Sequence, residues 1–127
     1  MIPLVFTIVQ PGLFLQALKS ASADNARINS NVEPYTREQL SQFKTFLSYD
    51  GLSGFAIKPD GELTAVFSAV KCRGEALVAE AISLGASHLN CFDGYLTALY
   101  GKAGFQETKR VPNWNIGGPD VVFMKIA

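Results

Sequence analysis

Charge is scarce in this sequence. Asp, Glu, Lys and Arg make up 17% of its 127 residues, and eleven basic side chains cancel eleven acidic ones. A chain without a basic excess has no counter-charge to offer a phosphate backbone or an anionic bilayer, so neither nucleic acid nor a membrane surface is expected as a partner. Cysteine and histidine are nearly absent as well. Cys72 and Cys91 lack metal-type spacing and His88 is the single histidine, which speaks against a Cys/His zinc site or any other resident metal. Two cysteines in a domain of this size read as ordinary thiols of a cytoplasmic protein rather than as a disulfide framework. There is no long hydrophobic run. Residues 2–9 are apolar, but no basic start precedes them and Pro11-Gly12 interrupts them before signal-peptide or membrane-spanning length. They read as a first strand, and no repeat, linker or low-complexity tract follows.

What is present suits one domain spanning residues 1–127, too short for two well-cored units. Nearly half the residues are hydrophobic, enough for a real core, and the low charge suits a well-covered sheet or a surface that associates with a second copy. Residues 4–9 are β-branched and continuous, as in a strand buried on both faces. After Pro11-Gly12, the spacing of Leu13, Phe14, Ala17, Leu18 and Ala21 predicts a helix. Residues 22–33 are polar and rich in Asn and Ser, the composition of a loop. Thr36-x-x-Gln39 has the form of a capping box, and the helix it opens is expected to carry Leu40, Phe43, Phe46 and Leu47 inward.

A hairpin follows, with residues 52–58 and 62–70 flanking Lys58-Pro59-Asp60-Gly61. Residues 74–84 read as a helix stopped by Gly85, residues 88–92 as a short strand, and residues 95–103 as a helix stopped by Gly104. Residues 106–111 and 121–126 read as two strands joined by the loop 112–119. The order β, α, α, β, β, α, β, α, β, β places the chain in the α/β (α+β) class. A mixed, mostly antiparallel sheet with helices on both faces is expected.

Chemistry concentrates at two places. At Val70-Lys71-Cys72-Arg73-Gly74-Glu75-Ala76-Leu77 a strand ends in a small-residue turn and feeds straight into a helix. Such a junction presents unpaired amides and the positive end of a helix dipole, a ready anion site if it is more than a turn. Lys71 and Arg73 add positive charge; Glu75 opposes an anion unless it points away. The second place is Leu99-Tyr100-Gly101-Lys102-Ala103-Gly104-Phe105 on the last helix, where periodicity alone makes Tyr100 a core residue beside Leu96 and Leu99.

Together these two segments resemble the GNAT acyltransferase superfamily over residues 52–127. Lys71-x-x-Gly74-x-Ala76 is similar to the family's Gln/Arg-x-x-Gly-x-Gly/Ala pyrophosphate loop, with Lys in place of Gln or Arg. Residues 99–105 are similar to its Leu-Tyr-x-Lys-x-Gly-Phe signature. Asp93 stands where the family often has Asn, and Leu96 where it often has Ala. The clusters at residues 91–96 and 119–124 also resemble small GNAT-like proteins encoded by bacteriophages.

The resemblance implies a GNAT-like fold, acetyl-CoA or coenzyme A as cofactor, and transfer of an acetyl group to an amine acceptor. It implies that Gly74 and Ala76, with the neighbouring Lys71, Arg73 and Glu75, hold the pyrophosphate. The strand end at Ser68, Ala69 and Val70 would pair with the pantetheine arm. Tyr100 would be the general acid that protonates the departing thiolate; a phenol is protonated at neutral pH and able to give its proton. A general base is missing from the pattern. Glu62 lies far from the site, Thr64 and Ser68 are not acidic, and Asp93 reads as an N-cap for the following helix. The gap leaves open an inactive GNAT-like binding or structural module. Cys72 reads as incidental beside its cations, His88 as a packing or solvent-facing residue, Cys91 as a small core residue. Trp114 reads as an acceptor-site wall, an interface anchor or a cover for the core edge.

Overall fold

The computed structural model describes residues 4–23 and 35–126. Its elements run β1 (Phe6–Val9), α1 (Pro11–Ala23), α2 (Arg37–Leu40), β2 (Lys44–Ser48), β3 (Ser53–Ile57), β4 (Leu63–Ser68), α3 (Gly74–Ser83), β5 (His88–Phe92), α4 (Tyr95–Lys102), β6 (Phe105–Val111) and β7 (Val121–Ile126). The strands form two antiparallel sheets, β1-β2-β3-β4 and β5-β7-β6. Among the described residues a single parallel bridge, Glu62 to His88, joins them, supported by the Ser87 amide donating to the Gly61 carbonyl at 2.9 Å. The expected class holds: a mixed α/β fold, mostly antiparallel, with helices on both faces.

Each face of the first sheet has its own core. On one side Phe55, Ile57 and Leu63 pack with Leu77, Val78 and Ala81 of α3, Tyr100 of α4, and Leu89, Val122 and Met124 of the second sheet. On the other, Phe14 and Leu18 of α1 and Leu40 of α2 close over Leu47, Ala56, Ala65 and Phe67. Side chains alternate along a strand, so one strand feeds both cores.

On β4 the alternation is broken on purpose. Gly54 pairs with Phe67 and Ala56 with Thr64, two steps on β3 against three on β4, and Ala65 takes a φ of 53°. This bulge swaps the parity of the strand: Leu63 and the partly buried Val66 face the α3 side, whereas Ala65 and Phe67 face α1.

The start signals in the sequence work as expected. The Gln39 amide donates to Thr36 Oγ1 and the Thr36 amide to Gln39 Oε1, the reciprocal box that satisfies two free amides. Gly85 and Gly104 stop α3 and α4 with φ of 113° and 110°.

Three expectations are corrected. The helix after Thr36 ends at Leu40, and Phe46 and Leu47 belong to a strand, β2. Phe46 joins one core and Leu47 the other, so the strand is buried on both faces and shows no polar alternation to distinguish it from a helix. β1 is an edge strand paired only with β2; Phe6 is buried but Ile8 is 63% exposed. Helix α1 extends through Ala23, two residues into the expected loop; the rest of that loop, residues 24–33, lies outside the described residues.

Gly54 marks how tightly the first sheet packs. A Cβ there would stand 2.6 Å from the Phe46 carbonyl oxygen, 2.8 Å from Leu47 Cδ2 and 2.9 Å from Phe67 Cε1. Backbone cannot yield cheaply, so Gly54→Ala is expected to lower stability by about 1–3 kcal/mol, measured as a shift in urea midpoint with the m-value unchanged.

Candidate functional site

The candidate site lies where the two sheets part. β4 and β5 meet at Glu62 and His88, and from there each strand pairs only with its own sheet. At their C-terminal ends they flank a gap, the position where open α/β sheets take ligands. At the closed end, Lys58 pairs with Glu62 at 2.9 Å and His88 Nε2 lies 3.5 Å from Asp60 Oδ2. Asp60, Glu62 and His88 therefore clasp the junction, and Glu62 is far from the open end.

The strand end at residues 68–70 is less open than the sequence implied. The Ala69 amide already donates to the Leu52 carbonyl at 2.7 Å, inside the sheet. Ser68 Oγ donates to the Val70 carbonyl at 2.6 Å and accepts from the Val70 amide at 3.2 Å. Alternation then turns the N–H and C=O of Ser68 itself toward the β5 side. Of the three residues expected to pair with an extended ligand, Ser68 presents its backbone to the gap.

The turn at Lys71 and Cys72 carries Cys72 at a φ of 67°, an uncommon conformation for a residue with a side chain. It delivers the chain into α3, whose N-cap is Arg73, and no side chain caps it. The first-turn amides therefore point outward without a side-chain acceptor, at the positive end of the helix dipole.

The five candidates around that turn differ; Glu75 is exposed in the first turn of α3, its carboxylate 3.6 Å from Lys102 Nζ. Gly74 lies close against α4: a Cβ there would meet Leu99 Cδ1 and Cδ2 at 3.1 Å, so the leucine tip would have to give by a few tenths of an ångström. Ala76 is exposed beside the first-turn amides. Lys71 is exposed and forms no ion pair among the described residues.

Arg73 does not reach for a ligand. Its guanidinium grips Asp50 in the β2–β3 turn, Nη2 to Oδ2 at 2.6 Å and Nη1 to Oδ1 at 3.0 Å, and Nη1 also donates to Ser53 Oγ at 3.1 Å. The hydrogen bonds from Arg73, then those from Ser48 and the Leu52 amide, hold the Asp50 carboxyl well below the usual carboxylate range against a modest burial penalty. The sequence offered no sign of this partner, 23 residues away.

Tyr100 lies in the core on α4, 5% exposed, its ring edge-on to Phe105 at 5.9 Å. Burial pushes its phenol above the ordinary value, and the nearby Cys91 and Tyr95 add to the shift. Cys91 behaves alike, raised to about 11 by burial and then by Asp93. Both groups keep their protons at neutral pH.

Asp93 does not cap α4. Gly94 is the N-cap, with a φ of 132°, and its amide is met by Thr97 Oγ1 at 3.2 Å. The Asp93 carboxylate instead receives Arg110 at 2.7 Å, and Arg110 also holds Glu107 at 2.8 Å and Asp120 at 3.3 Å. That hub and the Asp93 amide donating to the Asp120 carbonyl fix the β6–β7 loop. The loop sets Trp114, 76% exposed, against Phe92 at 6.3 Å. A residue the sequence did not single out, Tyr35, donates to or accepts from Thr64 Oγ1 at 2.9 Å, just before the bulge in β4.

No family model matches the chain, and no curated protein matches it. Solved structures do. Spermidine N-acetyltransferase from Vibrio cholerae, in a dodecameric structure, superposes with a TM-score of 0.66 at 17% identity, over 97% of this chain and 92% of that one. A probable GNAT-family acetyltransferase from Chromobacterium violaceum gives 0.66 at 14% identity, over 99% and 88%. A chain of the NatC complex bound to Gag peptide and coenzyme A gives 0.60 at 16% identity, over 98% of each. The chain has the GNAT fold. No helix among the described residues is long and apolar enough to cross a membrane.

Two measurements test this site. With Asp50 depressed below its ordinary value of 3.8, its pair with Arg73 stabilises the fold at pH values above that value. The stabilisation is lost as pH falls through the lowered folded-state value. Asp50→Asn is expected to lose about 1–2 kcal/mol at pH 7 and to show a shallower further loss toward pH 3, in urea titrations at both pH values. For the thiols, Cys72 is exposed and Cys91 partly buried, with Cys91 raised to about 11. At pH 7.5 a disulfide reagent is expected to react with one thiol quickly and with the second only after denaturation. Cys72→Ser should abolish the fast phase.

Proposed function

We propose that the chain is an N-acyltransferase that binds an acyl-coenzyme A thioester across the open ends of β4 and β5 and passes an acetyl group to an amine. The observation that carries this reading is the uncapped start of α3 opening beside the Ser68 end of β4. It supplies outward-pointing amides for a pyrophosphate and a backbone edge for the pantetheine arm in one continuous path. The fold neighbours support it, since their printed descriptions name acetyltransferases and, in one case, bound coenzyme A.

In this reading Gly74 and Ala76 bring backbone amides to the phosphates, Lys71 supplies the uncommitted cation, and Ser68 pairs with the pantetheine amides. Arg73 acts at one remove, pinning the loop to Asp50. The amine attacks the thioester carbonyl, the C–S bond breaks, and Tyr100 gives its proton to the departing thiolate. A phenol raised above its ordinary value is a poor acid toward a thiolate in water. Within a cleft shielded from water the match improves, because burial raises a thiol as it raises a phenol. The carboxylates flanking the open end, Asp50 and Asp93, are both held by arginines, so the proton of the attacking amine goes to solvent.

Titration calorimetry with acetyl-CoA tests the reading. Ala76→Glu, an exposed change that puts a carboxylate among the first-turn amides, is expected to weaken binding at least tenfold, about 1.4 kcal/mol. Tyr100→Phe is expected to bind normally and to slow acetyl transfer about 100-fold in an amine screen followed by thiol release. A folded wild-type chain that ignores acetyl-CoA at millimolar concentration would leave the fold as a scaffold without donor chemistry.

A further inference from the structure

This inference rests on the donor-site reading above and concerns how the charge of that site is set. Four ionised side chains belong to the turn before α3 and its rim: Lys71, Arg73, Glu75 and Lys102. Arg73 is bound bidentately to Asp50. Lys102, in the last turn of α4, has its Nζ 3.6 Å from Glu75 Oε1, with both side chains 71% exposed. Glu75 sits in the first turn of α3, where the helix dipole favours an anion and its own carboxylate is the nearest one. The two residues border a cavity of about 460 Å³ between α3 and α4, completed by Ala79, Ile82 and Ala103. A phosphate arriving at this helix start therefore meets a first-turn carboxylate and a lysine paired with it.

We propose that Glu75 is the specificity-determining residue of the donor site, an internal anionic competitor that holds Lys102 away from phosphate and weakens a thioester donor in proportion to the phosphates it carries. Like charges a few ångströms apart repel, and at side chains as exposed as these the repulsion is felt most at low salt. An uncharged side chain at position 75 frees Lys102 and removes the repulsion at once. Both residues lie on the surface, so their replacement leaves the cores untouched.

Calorimetry with coenzyme A and with pantetheine, which carries no phosphate, separates the outcomes across wild type, Glu75→Gln, Lys102→Ala and the double variant. Glu75→Gln is expected to tighten coenzyme A by about three- to tenfold at low salt, a gain that shrinks near about 0.5 M salt. Pantetheine affinity should stay within about twofold, since no phosphate is involved. Lys102→Ala alone should change little, whereas in the Glu75→Gln background it should remove most of the gain. Equal coenzyme A affinity in wild type and Glu75→Gln overturns the proposal, as does a gain shared by pantetheine or one that survives loss of Lys102. If none of the four folded chains binds coenzyme A, the donor-site reading itself falls.

Discussion

Two antiparallel sheets that touch at one bridge are the constraint from which the rest of the molecule follows. Every backbone amide and carbonyl in the interior needs a partner, and the ladders of β1 to β4 and of β5 to β7 satisfy most of them within each sheet. Only Glu62 and His88 bring β4 and β5 into register. Beyond that point the strands share no ladder, and the polar edge of Ser68 faces a gap instead of a neighbour. A sheet edge left open inside a domain is a liability unless something covers it. Here α3 and α4 cover one side, brought close because Gly74 has no Cβ to hold Leu99 away. What remains is a slot with backbone on one wall and a helix start at its end, which suits an extended ligand with an anionic terminus.

The bulge at Ala65 makes this arrangement compatible with two cores. Without the extra residue, Leu63 and Phe67 would share a face, since both are odd-numbered along a strand of period two. With it, Leu63 packs toward α3 and Phe67 toward α1. Thr64, one residue before the bulge, and its partner Tyr35 lie on the α1 side, opposite Tyr100 and α4.

Most elements were legible because their signals are local. The hairpin at Lys58-Pro59-Asp60-Gly61, the Thr36–Gln39 box and the glycine stops at Gly85 and Gly104 each act within a few residues, and each is in place. The strand β2 was not legible because Leu40, Phe43, Phe46 and Leu47 fall at helical spacing, while only pairing with β1 and β3 reveals that the segment is extended. The same limit governs the site. The order of loop and signature pointed to α3 and α4, but the partners that decide each side chain's role lie far along the chain. Asp50 claims Arg73 from 23 positions away, and Arg110 claims Asp93 from 17. Neither separation has any periodicity to betray it.

Those two claims explain what a low and balanced charge does here. Both arginines nearest the slot hold loops: Arg73 ties the α3 turn to the β2–β3 turn, and Arg110 gathers Asp93, Glu107 and Asp120 around the β6–β7 loop. Lys102 faces Glu75. A donor bound as proposed would find little net field to draw it in, so electrostatic steering would contribute less than in a cleft lined by one sign of charge. On the proposed reading, affinity then comes from the backbone edge at Ser68, the uncapped amides of α3, Lys71 and apolar contact with the helices. Such contacts are short-ranged and directional. They favour a ligand of the right length and hydrogen-bonding pattern over one that is merely anionic, and a thioester arm with regularly spaced amides has that pattern.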